Sequence, residues 1–520
     1  MYGGARAMHY GLSMDDTLLS LTLNPAKTLR LDHRIGSIEV GKDADIVVWD
    51  RHPLALGAKP TRVFIDGDQL FEAGRLPPPA FSAPRQQENA AEFQLEGSCT
   101  PPQHSSRVAA GGVVELANYA IIGATIWTMQ SIIQPIRDGV VTVQNGVVSC
   151  IGTLTECNVQ LQQLPRDARF NTNGQLWAGM LSVGDGIGQY EMGEPPTHDG
   201  PLSGSPEDMF DVWAIRGMRS GGRHMWEAWR GGLSLSVTPP EGAGMIRGVS
   251  SAMWVSPHGH DHASTTLKNV VAIHIALGNR ARQAGLAASI SGQLFQLRKW
   301  LRPTGPSQLE GVRNGSVPLV LHVDQADTMS QALRLVADTA PRTKLTIFGG
   351  AEAHLIVQEI ATASNVEAVV LSPPHPVPEA RFDQDRAPDP LEGEQHAALT
   401  LYQAGIKVGL AGAAGPATNL RWEAGLAMDA GVPRSAAMQM ATRNLAEAMG
   451  LSDGIGMTRV GQRAHFALYT SDPLAIDSEI ALVASGGMLS CYPPATPWDL
   501  PWKPSGPTGI PEGADLSSGR

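Results

Sequence analysis

The chain is poor in several things, and each shortage excludes a class of protein. Four cysteines in 520 residues (Cys99, Cys150, Cys157, Cys491) are too few and too scattered for a disulfide scaffold or a CxxC zinc knuckle, and the expected state of all four is the reduced, structural thiol. Aromatic residues make up 5% and charged residues 17% of the chain. Basic residues are the minority, 39 Lys+Arg against 50 Asp+Glu, and the net charge of −11 speaks against nucleic-acid or membrane-surface binding. No apolar run reaches the roughly 18 residues a membrane span needs. There is no Gly-rich phosphate loop, no Gly-x-Ser-x-Gly elbow and no usable Cys–His pair. What remains is a 42% hydrophobic chain, long enough for two or three domains and well able to bury a core.

A second copy of part of the sequence sets the organisation. Thr22–Ala55 aligns without a gap on Thr442–Ala475, 420 residues on, with Thr22, Asn24, Ala26, Leu31, Ile35, Gly36, Val40, Gly41, Ala44, Pro53, Leu54 and Ala55 all recurring. A period that long is a whole module rather than a solenoid unit. Residues 1–75 therefore read as the last part of one module and the remainder as one complete copy. Residues 76–111, rich in Pro, Ser and Gln, read as a linker, and 491–520 as a loose tail.

Within the complete copy, the runs around Asn145-Gly146 carry the strongest hairpin signal of the chain. After Gly179 strand-like runs alternate with amphipathic helices, which argues for parallel strands with crossover helices, in a barrel or a doubly wound sheet.

The stretch NPAKTLRLDHRIGSIEVGKDADIVVWDRHPL resembles the closing segment of the amidohydrolase superfamily, the metal-dependent hydrolases. VVELANYAIIGATIWTM and DGVVTVQNGVVSCIG resemble its opening sandwich strands. The middle is similar to the imidazolonepropionase-like branch, and the whole to the large two-module amidohydrolase-related proteins of fungi. The resemblance implies an α/β fold, a (β/α)8 TIM-like barrel at 179–443, with a composite β-sandwich from 112–178 and 444–490. Residues 1–75 would then be the C-terminal remnant (last barrel helices and sandwich strands) of an upstream amidohydrolase module, packed on the sandwich, and the chain a fragment or the product of a late-started gene model.

By the same resemblance the activity is hydrolysis of carbon–nitrogen (non-peptide) bonds in a small-molecule substrate with a divalent metal, zinc. The metal lowers the pKa of a bound water while a strand-end Asp moves the proton. The residues depart from that pattern. The strand-1 His-x-His is replaced by Gly184 and Gly186, and the strand-8 Asp by Ala413. Asp185, between the two glycines, is expected to point to the opposite face. His322 on strand 5 and His354 after strand 6 stand as retained metal ligands, with His274 in the strand-4 neighbourhood as a third. Glu352, Asp327 and Trp422 are pocket candidates, Asp327 also a helix-capping carboxylate and Trp422 also a core residue. His258-x-His260-x-His262 reads as an exposed loop unless other strands supply partners.

The expectation is a weak or absent metal and a largely non-catalytic copy. Its alternatives are a mononuclear hydrolase using His322, His354 and His274, and a scaffold or regulatory pseudoenzyme for a catalytic partner, either an upstream module or a second subunit. No nucleic acid and no membrane span enter any of these readings.

Overall fold

The structure, a computed structural model, describes residues 4, 7–8, 11–55, 58–72, 93–97, 107–108, 114–130, 134–189, 206–240, 244–256, 265–278, 281, 289–372, 397–412, 420–451, 454–475 and 478–491. His258, His260, His262 and Ala413 lie outside these, as does most of 76–111 and 491–520.

Near its start the chain forms helix α1 (Met14–Leu21), helix α2 (Leu23–Thr28) and a three-stranded antiparallel sheet of β1 (Ile46–Trp49), β2 (Pro60–Ile65) and β3 (Asp68–Glu72). Ser13 starts α1 as its N-cap, its hydroxyl accepting the Asp16 N–H at 3.0 Å. Ala26 and Leu54 are buried, but Leu29, Ile38, Val40, Val47 and Val48 are exposed. The expected packing on the sandwich does not cover them.

Strand β4 (Tyr119–Trp127) pairs antiparallel with β5 (Ile136–Gln144), which turns into β6 (Val147–Gly152). The turn is the expected Asn145-Gly146 pair, both residues at positive φ (51° and 76°), as a type I′ hairpin needs. Gly146 also lies against the Gly487 backbone, where a Cβ would come within 3.2 Å.

Cys150 and Cys157 form a disulfide with Cα atoms 5.6 Å apart, correcting the expectation of reduced thiols. After β6 the turn at Thr153–Glu156, in which Thr153 donates its N–H to the Glu156 carboxylate at 2.7 Å, folds the chain back. It delivers Cys157 at the start of α3 (Asn158–Gln162) beside the strand it has just left. Cys157→Ser is expected to cost about 2–3 kcal/mol, the loop-closure entropy of so short a bridge. Urea unfolding with and without reductant measures it: the reductant should move the parent to the variant's midpoint and leave the variant unmoved.

Beyond α3, β7 (Arg169–Thr172) and β8 (Gln175–Ala178) lie parallel to β4 on its two ends. Two short strands, Leu95–Glu96 and Arg107–Val108, fall inside the segment read as a linker and join the same sheet.

The barrel follows. β9 (Met180–Val183) and β10 (Leu233–Thr238) are parallel. β11 (Ile246–Val249) and β12 (Ser251–Trp254) are two halves of one bent strand hinged at Ser250. β12 runs antiparallel to β10, and β11 antiparallel to β13 (Ile273–Ala276). From β13 the sheet continues in parallel through β14 (Leu319–Val323), helix α4 (Ala326–Thr339), β15 (Leu345–Gly349), β16 (Val366–Leu371) and β17 (Val408–Leu410).

The ring thus departs from an all-parallel barrel at its third position, because residues 239–245 are too few for the crossover of a dozen or more that a parallel neighbour requires. β13, β14 and β15 are buried along their whole length, the mark of strands covered on both faces.

Helices α5 (Leu420–Asp429), α6 (Arg434–Met440) and α7 (Arg443–Ala448) close the ring. Leu181 donates its N–H to the Ala441 carbonyl (3.1 Å), Asn444 its amide to Val408 O (2.8 Å), and Thr346 its hydroxyl to Ala448 O (2.8 Å). Last come β18 (Phe466–Tyr469), β19 (Ile480–Ser485) and β20 (Met488–Cys491), with β18 antiparallel to β8. Opening and closing strands therefore share one sheet, over a core containing Tyr119, Ile121, Ile126, Leu176, Phe466 and Leu468.

Candidate functional site

The carboxyl ends of β9, β13, β14, β15 and β17 meet where a barrel places its chemistry. At the end of β14, His322 has Nε2 2.9 Å from His274 Nδ1 on β13. His274 Nε2 lies 2.8 Å from Ser250 Oγ, whose hydroxyl also reaches the Ala272 carbonyl at 3.3 Å. One proton assignment satisfies all three links: His322 donates to His274, His274 to Ser250, and Ser250 to the carbonyl, with both rings neutral. Burial, with the Arg247 charge as the lesser cause, holds His274 down at about 3. It stays an uncharged relay across the pH range of ordinary buffers.

The other side of His322 faces Phe348 of β15, ring centroids 4.6 Å apart. Phe348 sits level with His322 in the parallel register and stands against Gly184. Gly184 has φ +82° and Gly186 φ +64°, and a Cβ on Gly184 would stand 2.9 Å from Phe348 Cζ. A histidine at 184 would meet both a left-handed backbone, costing about 1–2 kcal/mol, and a ring already in its place.

Asp185 lies two residues past the end of β9 at Val183. Its carboxyl is buried and stands 3.2 Å from where a Cβ on Gly412 would be, so it fills the space at the end of β17. Burial pushes it up to about 7, against the Ser182 hydroxyl.

The remaining sequence candidates are placed elsewhere. His354 is on the 3-10 turn Ala353–Ile356, beyond the strand end, and burial lowers its pKa. Glu352 accepts the Ala326 N–H at 2.8 Å and so caps α4 from a neighbouring loop. Asp327 is exposed in the first turn of α4 and is not the capping group. Trp422 packs under the buried Arg421 guanidinium, 5.1 Å from its ring. Arg421 also reaches Ser478 O at 2.8 Å, which anchors α5 to the closing segment.

A catalytic zinc takes three protein ligands and a water. Among the described residues no three His, Cys, Asp or Glu side chains converge as a metal site. The two imidazoles that do meet are committed to each other and to Ser250. The described residues do not supply the donor set of the metal that the resemblance implies.

Fold and strand-end geometry define a (β/α)-barrel protein with a composite sandwich. Residues 1–77 match the model of the Amidohydrolase family. The chain is 29% identical over 470 residues to Amidohydrolase tasK of Hapsidospora irregularis, covering 78% of this chain and 45% of that protein. A 47-residue stretch is 53% identical to the urease subunit alpha of Yersinia pestis (strain Pestoides F), 9% of this chain and 8% of that one. The crystal structure of an amidohydrolase from Thermotoga maritima MSB8 superposes with a TM-score of 0.60 at 20% identity, covering 71% of this chain and 98% of that one. The chain is thus similar to amidohydrolases: its first 77 residues match the family's model, and its body has the fold of the Thermotoga maritima protein. It spans less than half the length of the curated relatives it matches.

Proposed function

We propose that the barrel of this chain is a non-hydrolytic amidohydrolase barrel that serves as a scaffold or regulatory module for a catalytic partner. The observation that carries the reading is the packing at the strand ends: Phe348 occupies the space that a side chain at Gly184 would take, and His274 and His322 are joined in a buried relay ending at Ser250. Water activation on a metal needs open coordination sites, and this packing leaves none at the paired nitrogens.

Plasma mass spectrometry of the purified chain, before and after soaking in zinc and manganese, tests the reading. Substoichiometric metal, indifferent to a His322→Ala/His354→Ala double variant, is the expected result. One tight equivalent per chain, lost in that variant, would reinstate the mononuclear hydrolase and call for an amide-substrate screen.

A further inference from the structure

Elements near the two ends of the chain follow the same order at a spacing of 420 residues. α2 begins at Leu23 and α7 at Arg443; β1 covers Ile46–Trp49 and β18 Phe466–Tyr469; β2 covers Pro60–Ile65 and β19 Ile480–Ser485. Backbone contacts recur as well. Leu31 N–H bonds Ala26 O at 2.8 Å and Leu451 N–H bonds Ala446 O at 2.7 Å, while Gly67 and Gly487 donate to Ala44 and Ala464.

What differs is the covering. Leu29 is 68% exposed and Met449 is 0%; Ile38 is 82% exposed and Thr458 is 1%; Val48 is 42% exposed and Leu468 is 0%. The later segment is covered by known elements. β18 has two strand neighbours, β8 on one edge and β19 on the other. Thr458 donates its N–H to Thr128 O at the end of β4, and Met449 lies in the barrel core. Among the described residues β1 has one strand neighbour, β2. Its other edge and the apolar face around it are therefore the counterparts of a surface whose occupant the same molecule displays.

We propose that residues 14–72 are a docking segment for a second amidohydrolase-type barrel body, distinct from this chain's own. That body would pair a strand equivalent to Gln175–Ala178 with β1 and set its barrel against Leu29, Leu31 and Ile38. A second copy of this chain is not the occupant, because in every copy β8 is already paired with β18, held there by the continuous chain. The inference rests on the partner half of the reading above and not on the packing of Phe348 at Gly184, so failure here leaves the metal result untouched.

The test uses the body at hand as the probe. In a full-chain chimera, residues 442–491 are replaced by the sequence of 22–71, giving two copies of the 46–49 stretch. Hydrogen exchange should then split that peptide into a fast half and a half slowed at least ~100-fold, as a strand paired on both edges requires. A soluble chimera whose 46–49 peptide exchanges uniformly fast overturns the proposal. Should the larger side chains overpack the body, a second chimera carrying Ile38→Thr and Val47→Ala in the transplanted copy restores the sizes of Thr458 and Ala467. Insolubility of both chimeras, with the parent soluble, also overturns it. Sedimentation of the parent closes the remaining route: a dimer whose 46–49 peptide is already slow would make a second copy the occupant.

Discussion

Leu468→Asp is expected to leave the chain largely insoluble, while Val48→Asp, the same kind of change 420 residues earlier, should shift the urea midpoint little. Leu468 is fully buried on β18 opposite Leu176, in the core that joins opening and closing strands. An aspartate there loses the leucine's burial and places a carboxylate where nothing solvates it. The two effects together cost on the order of 5 kcal/mol or more. Whole domains are stable by only about 5–15 kcal/mol. Val48 is half-exposed on a strand with one strand neighbour among the described residues, and exposed substitutions usually stay within roughly 0.5 kcal/mol. Soluble yield and urea midpoints of both variants decide it. Equal losses would mean that the face around Val48 is covered in the isolated chain.

Asp185→Asn should stabilise the protein in a pH-dependent way. The carboxyl titrates at 3.8 ordinarily and at about 7 in the fold. Below 3.8 both states are protonated and its burial is free of charge. Between 3.8 and about 7 the unfolded chain ionises and the native state does not, so stability falls by about 1.4 kcal/mol per pH unit. Above about 7 the loss is complete. Asparagine has nothing to ionise, so its advantage should be near zero at pH 4 and grow to at most roughly 4 kcal/mol by pH 8. Comparing variant with parent isolates this group, because the other buried groups, His354 and His465 among them, are common to both. Glu423, pushed by burial to about 7, acts in the same direction, and His274, held at about 3, acts oppositely between 3 and 6.5. Urea unfolding at pH 4, 6 and 8 measures the difference, and a gain independent of pH would show that Asp185 is ionised throughout.

The order of strands and helices in the barrel was legible because hydrophobic runs such as VPLVLHV and KLTIFGG are short, β-branched and followed by amphipathic helices. The hairpin at Asn145-Gly146 was legible from two residues that tolerate positive φ. The reversed third strand had a signal in the short Pro239-Pro240 connection, which leaves no room for a crossover.

The mouth itself was hidden. That Gly184 lacks a ligand is visible in one dimension, but that Phe348 takes up the vacated space depends on parallel register between β14 and β15. The burial of the Asp185 carboxyl beside Gly412 has no one-dimensional signal, because it depends on how the ends of β9 and β17 approach. Glu352 caps α4 from 26 residues away, a contact that local capping rules do not reach. The Cys150–Cys157 bridge is invisible to a count of cysteines, because a local turn at Thr153–Glu156 brings the pair together.

The bent strand through Ser250 gives the barrel two unlike seams. On one side a single reversed strand stitches β10 to β13. On the other, the space between β9 and β17 is spanned by the Leu181–Ala441 bond and the Asp185 side chain rather than by a strand ladder. Opening the second seam sacrifices few backbone bonds, whereas opening the first unzips two ladders and the imidazole relay at once. Native-state fluctuations should therefore part the ring between β9 and β17, with α6 and α7 peeling away together, and leave the histidine pair among the last groups to meet solvent.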